Sequence, residues 1–185
     1  MQYQRQVLAY HGCDQDVVRR VLEGDGLQMS ANDYDWLGKG IYFWEQGPAR
    51  AFEWARLMKK WGRISRPAVL GAIINLGGCL DLLDVKTTSL LEEMHPIFER
   101  FWAVSGRTLP VNAPKNKRHM LDCAFLNWAI PLLETQNSTV YHTVRGVFIE
   151  GSPIYPTAQI HRESHIQLAV RHPAAIVGYF LPTGS

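Results

Sequence analysis

Ala68-Val69-Leu70-Gly71-Ala72-Ile73-Ile74-Asn75-Leu76 is β-branched and almost wholly apolar, the composition of a strand that crosses a core with both faces covered. Shorter runs on either side repeat the signal. Val7-Leu8-Ala9-Tyr10 reads as a strand that delivers His11-Gly12 at its tip, and Ile41-Tyr42-Phe43-Trp44 as one fed by the loop Gly38-Lys39-Gly40. Further on, Val144–Glu150, His165–Val170 and Ile176–Leu181 read as strands, the first two separated by a turn-rich loop from Gly151 to Arg162 that holds Pro153 and Pro156.

Helices are predicted between these strands. Asp14 can cap one that runs through about Glu23 and carries Val17, Val18, Val21 and Leu22 on one face. Pro48 can start another, with Ala51, Trp54, Ala55 and Met58. From Thr88 to about Arg107 the apolar positions recur near helical spacing, with Pro96 expected to limit or kink the first part, and a last helix is expected from about His119 to Leu133. Strands at both ends with helices between them give an α+β fold. One domain over 1–185 is expected, its core at about 7–83 and 144–181, with a helical insert at about 84–143.

A chain of 185 residues that is 46% hydrophobic fills one core. Its net charge of +2, from 19 basic and 17 acidic side chains, neither demands nor excludes a nucleic-acid partner. Two local basic clusters stand out: Lys59, Lys60, Arg63 and Arg66, interleaved with Trp61, and Lys115, Lys117, Arg118 and His119. Each is read either as a solvated face or as a seat for a polyanion. Cys13, Cys79 and Cys123 are odd in number, far apart and without a CxxC pair, which suits a reducing cytosol and suggests neither a disulfide framework nor a zinc site. No apolar run approaches the roughly 18 residues that span a bilayer, so a cytoplasmic protein with no membrane partner is expected.

Two short segments carry the chemistry. Tyr10-His11-Gly12 sets a polar ring beside a glycine that lets a ligand approach the backbone. Gly38-Lys39-Gly40-Ile41-Tyr42-Phe43 sets a flexible loop before adjacent aromatic rings and can fold over a flat ring system. No phosphate-binding P-loop and no dinucleotide GxGxxG follows any strand. His161 and His165 lie four apart, but the segment reads as loop into strand rather than the helix a metal pair needs, so no metal is expected. His11 and Cys13 share a side of a strand without a third orienting group, which favours a buried cysteine over a nucleophile.

On these residues the chain resembles the ADP-ribosyltransferase superfamily of the poly(ADP-ribose) polymerase and diphtheria-toxin type, marked by a histidine, a tyrosine and usually a glutamate. Leu8-Ala9-Tyr10-His11-Gly12 is similar to that family's first strand, Gly38 to Phe43 to its tyrosine segment, and Val69 to Gly77 to its next core strand. Arg145-Gly146-Val147-Phe148-Ile149, the Pro-rich loop, Gln167-Leu168-Ala169-Val170 and Ile176 to Phe180 parallel its final strands. The resemblance implies a split mixed or antiparallel sheet, NAD as co-substrate and no metal.

It also implies roles. His11 would bond the adenosine ribose, the backbone of Gly12 the nicotinamide carboxamide, and Tyr42 would stack on the nicotinamide ring. Phe52 or Trp54 would offer a second aromatic wall, with core packing as the alternative, and Lys39 would meet the pyrophosphate or lie on the surface. Where the family has its glutamate this chain has Gln167, whose amide brings no negative charge and is a poor base. Glu163 and Glu150 are the candidate replacements. The departure favours transfer of a single ADP-ribose to a macromolecular acceptor, protein or nucleic acid. By analogy the setting is a bacterial toxin of a toxin-antitoxin or anti-phage defence system, with an antitoxin as a possible partner. Two other readings stay open: an NAD glycohydrolase, and a non-catalytic module that binds ADP-ribose or nucleic acid.

Overall fold

The computed structural model describes residues 5–113 and 118–183. Its strands are β1 (Gln6–Asp14), β2 (Ile41–Glu45), β3 (Pro67–Asn75), β4 (Cys79–Asp81), β5 (Asn112–Ala113), β6 (Arg118–His119), β7 (Thr143–Phe148), β8 (His165–Val170) and β9 (Ile176–Phe180). Its helices are α1 (Gln15–Leu22), α2 (Pro48–Lys60), α3 (Val85–Val104) and α4 (Met120–Asn137). Seven strands form one sheet in the order β4-β7-β8-β2-β1-β3-β9, and β5 pairs with β6 as a small hairpin. The sheet is mixed, since β4 runs parallel to β7 while every other neighbour is antiparallel. The fold is α+β.

The apolar run at Ala68–Asn75 is a single strand, β3. β3 ends at Asn75, Gly77 follows at φ +57°, and the chain re-enters the sheet as β4 at its opposite edge. The left-handed turn favours glycine, and His142 packs against it. Both long helices are displaced by a few residues from their expected spans. α3 continues past Pro96 and α4 past Pro131. Each proline removes one helical hydrogen bond, and burial of Phe98 beside one and of Ile130 and Leu133 beside the other holds the turns together.

Successive side chains of a strand point to opposite faces of the sheet, and the faces are covered differently. On one lie His11, Cys13, Phe43, Leu168 and Val170; there α1 docks with Val18 and Val21 in a core that includes Phe43, Leu70 and Ile74. On the other, α2 covers Tyr10 and Trp44 through Ala51, while α3 and α4 cover Tyr42, Val144 and Ala169 through Leu91, Met94, Leu126 and Ile130. The expected helical insert is therefore a lid on half of this second face. At the sheet's far side the buried Arg145 guanidinium bonds both carboxylate oxygens of Glu45, at 2.6 and 3.0 Å, and Asp81 at 3.1 Å. Such a bidentate fork ties β7 to β2 and β4.

Candidate functional site

The site begins with a ladder that stops early. β1 pairs with β3 along its whole length, from Gln6↔Asn75 to Asp14↔Pro67, but with β2 only at Ala9↔Glu45 and Tyr10↔Trp44. Backbone N–H and C=O groups of a strand residue point to the same neighbour, alternating along the chain. Leu8 C=O accepts from Gln46 N–H at 3.0 Å on the β2 side, and Gln15 N–H donates to Arg66 C=O at 2.8 Å on the β3 side. Even-numbered residues of β1 thus face β2, and Gly12↔Tyr42 would be the next rung. That rung is missing because His11 Nδ1 lies 2.7 Å from Tyr42 C=O and takes its place. The side chain of one residue has displaced the backbone N–H of the next, which leaves a gap in the β1–β2 ladder at the buried Gly12.

The partner fixes the tautomer of His11. A carbonyl oxygen only accepts, so Nδ1 carries the proton, and in the neutral ring Nε2 is an acceptor. Burial holds the His11 pKa below its ordinary 6.5, although the bond to Tyr42 pulls the other way. The ring lines a cavity of about 480 Å³ with Cys13, Val17, Arg20, Val21 and Leu27. A neutral acceptor on the wall of such a cavity suits a ligand hydroxyl. Cys13, as expected, is an inert neighbour: burial pushes its thiol up to about 12.

Gly12 differs from its sequence reading in one respect. A Cβ there would sit 2.1 Å from Ala51 C=O and 3.3 Å from Ala55 N, so what comes close on this side is helix α2, not a ligand. The glycine is required by helix-on-sheet packing.

Tyr42 and His11 do not share a surface. The Tyr42 ring lies on the α4 face, where its hydroxyl donates to Gly38 C=O at 2.9 Å and accepts from Leu37 N–H at 3.0 Å. Those two bonds lock the turn at Gly38, whose φ is +77°, and burial pushes the phenol pKa up. The imidazole and the phenol therefore meet through the Tyr42 carbonyl, not through converging side chains. Lys39 is exposed, and its N–H donates to Asn127 Oδ1 of α4 at 3.0 Å.

Gln167 is on Tyr42's face, because Tyr42 pairs with Ala169 and Trp44 with Gln167. Its Oε1 accepts from Trp36 Nε1 at 2.5 Å, which fixes the amide beside an indole that also packs on Phe148. The candidate carboxylates lie at the start of β8, already engaged. Arg50 of α2 donates to Glu150 at 2.6 Å and stands 4.0 Å from Glu163. Glu150, expected on a strand, lies just past the end of β7. His165 Nδ1 donates to Glu163 C=O at 2.6 Å, and burial lowers its pKa.

Three buried atoms in this region have no partner among the described residues: Trp44 Nε1, Arg50 Nε and His165 Nε2. Two are donors, and His165 Nε2 is an acceptor once Nδ1 holds the proton. Of the three residues the sequence reading weighed only His165, as half of a metal pair with His161 that it set aside, since an apolar-run tryptophan and an isolated arginine give no motif. His119, whose Nδ1 is 3.0 Å from Asp122 Oδ2 and whose ring packs on Phe148, reaches the same neighbourhood from the insert.

The second aromatic wall is assigned elsewhere. Trp54 packs between Trp44 and Trp61, and Phe52 lines a separate cavity with Tyr10 and Phe180. The core-packing alternative describes Trp54. His161 Nδ1 faces Gly151 C=O at 3.1 Å, and among the described residues no group of three or more histidine, cysteine or acidic side chains is placed to hold a metal ion. No helix among them is long and apolar enough to cross a membrane. In the second basic cluster Arg118 lies over the Tyr34 ring, while Lys115 and Lys117 fall outside the described residues.

Over 54 residues, 29% of its length, the chain is 41% identical to an uncharacterized protein of Methanocaldococcus jannaschii, of which that match spans 24%. No family model and no solved structure matches the chain.

Proposed function

We propose that the chain is an NAD-dependent mono-ADP-ribosyltransferase built on an ADP-ribosyltransferase-like core, and that the dinucleotide lies through the gap between β1 and β2. One observation carries the reading: the Gly12↔Tyr42 rung is replaced by His11 Nδ1 on Tyr42 C=O, which frees the backbone edge of Gly12 from the β1–β2 ladder, next in sequence to the His11 ring that lines a cavity. A strand edge offers a donor and an acceptor side by side, the complement of a primary carboxamide. The nicotinamide carboxamide would take that edge. On the α1 face the adenosine ribose would donate a hydroxyl to His11 Nε2. On the opposite face the Tyr42 ring, held by Leu37 and Gly38, would flank the nicotinamide.

Holding both halves across the sheet would favour cleavage of the bond between nicotinamide and ribose. The electron pair of that bond leaves with neutral nicotinamide, the acceptor oxygen or nitrogen bonds the ribose carbon, and the acceptor's proton goes to a base. Gln167, fixed by Trp36, would bind a ribose hydroxyl without stabilising the cation as a carboxylate does.

The test is to incubate the protein with NAD labelled in the adenylate half and a cell lysate. Label on a macromolecule, together with released nicotinamide, is the expected result. Free ADP-ribose without labelled macromolecule would instead make the protein a glycohydrolase, and absence of NAD binding by calorimetry would remove the proposal. His11→Ala and Tyr42→Ala should each abolish nicotinamide release; retained turnover in both sinks the site.

A further inference from the structure

The last turn of α2 and the loop after it form a cationic surface with an aromatic centre. Arg56, Lys59, Lys60, Trp61 and Arg63 are all exposed, and 53% of Trp61 is accessible. The Arg63 guanidinium lies 5.6 Å over the Trp61 ring, and Trp54 supports that ring edge-on at 6.1 Å. The acids nearby are taken, Glu53 by Arg50 and Asp16 by Arg66 and Arg19, so none of these four cations has an acidic partner among the described residues. An exposed indole on the surface of a folded protein, propped by a second indole and flanked by unneutralised charge, has no role in this core.

We propose that this surface binds single-stranded nucleic acid. The cations match phosphates, and Trp61 with Arg63 gives a flat platform on which an unpaired base stacks. An acidic protein would use the charges but not the platform. The loop that follows this surface is tied to the end of β1: Ser65 and Arg66 N–H groups both donate to Asp14 Oδ2, at 2.7 and 3.0 Å, two residues along β1 from Gly12. A strand held here would thus lead towards the proposed NAD site. That the strand is the acceptor rests on the transferase reading; that it binds does not.

The test is fluorescence anisotropy with the full chain and labelled RNA and DNA single strands of about a dozen nucleotides, repeated over a series of salt concentrations. Four cations predict a slope of log affinity on log salt near about −3, at about 0.7 per phosphate contact. Trp61→Ala should weaken binding about tenfold and Trp61→Phe should restore most of it. The double change Lys59→Glu and Lys60→Glu should reduce the slope by about half. Affinity unmoved by all three variants, no binding at low salt, equal affinity for a duplex, or equal displacement by anionic vesicles would each overturn the proposal. Strand binding without NAD binding would support this surface and remove the transferase; NAD binding without strand binding would do the opposite.

Discussion

His11→Leu tests the wedge that opens the ladder. The variant removes the donor to Tyr42 C=O, now at 2.7 Å, and keeps a side chain of similar volume in the cavity wall. A net hydrogen bond of about 1 kcal/mol is lost, and an orphaned carbonyl would cost about 1–3 kcal/mol. The carbonyl need not stay orphaned. Gly12 N–H faces it across the gap, so the rung can form and offset most of the loss. Stability should therefore change by less than about 1 kcal/mol, equivalent to about 2–4 °C in Tm for a chain of this size. The signature is in hydrogen exchange: Gly12 N–H should gain about tenfold or more in protection, reaching that of Tyr10, whose rung to Trp44 already exists. Calorimetry on the same sample should show NAD binding lost. If the Gly12 amide is already as protected as Tyr10 in the unaltered protein, or if NAD affinity survives in the variant, the wedge argument is wrong.

Tyr42→Phe deletes the hydroxyl that joins Leu37 N–H and Gly38 C=O and should cost about 1–3 kcal/mol by thermal unfolding; an unchanged Tm would show that these bonds do not hold the turn. Gln167→Glu keeps the acceptor for Trp36 Nε1 and adds a charge, so nicotinamide release should rise, and a fall would place the third role elsewhere. His11 and His165 both have folded pKa values below the ordinary 6.5 because burial disfavours their charged forms. The unfolded chain then binds more protons than the folded one below about pH 6.5, so Tm should fall as pH drops from about 7 to 5, and His11→Leu should flatten that slope. Equal slopes in the variant and the unaltered protein would show that His11 does not resist protonation.

Local patterns carried most of the fold. The strand at Ala68–Asn75 could be read because its residues are buried in register with β1, and α1 because Asp14 caps it, its carboxylate accepting from Asp16 N–H. What local pattern does not encode is order across the sheet. Nothing in Cys79-Leu80-Asp81 says that it joins Thr143–Phe148 in parallel at the far edge, since that pairing is decided by how α3 and α4 close over Leu80 and Val144. The insert was visible as helices and invisible as a lid for the same reason. Arg145 is a case where the sequence misleads, because a charged residue within a strand usually signals a solvated face; here two carboxylates from distant segments make its burial possible.

Gly12 shows why the candidate site was only half legible. In the sequence, a glycine after a histidine at a strand end gives one fact, that something approaches the backbone. Two things can: a ligand or another element. Ala51 C=O fills the Cβ position, so the absent side chain belongs to α2, and its lack would be needed even if nothing ever bound. The opening towards β2 has a separate cause in the neighbouring imidazole. These causes separate under mutation. Gly12→Ala must push α2 outward, since a carbon cannot stay 2.1 Å from an oxygen, and overpacking of this kind costs about 1–3 kcal/mol or more. It should lower stability with or without NAD, whereas His11→Leu should close the gap at little cost in stability. If Gly12→Ala left Tm unchanged and removed only NAD affinity, the glycine would be serving a ligand after all, and α2 would be packed less closely on β1 than the structure has it.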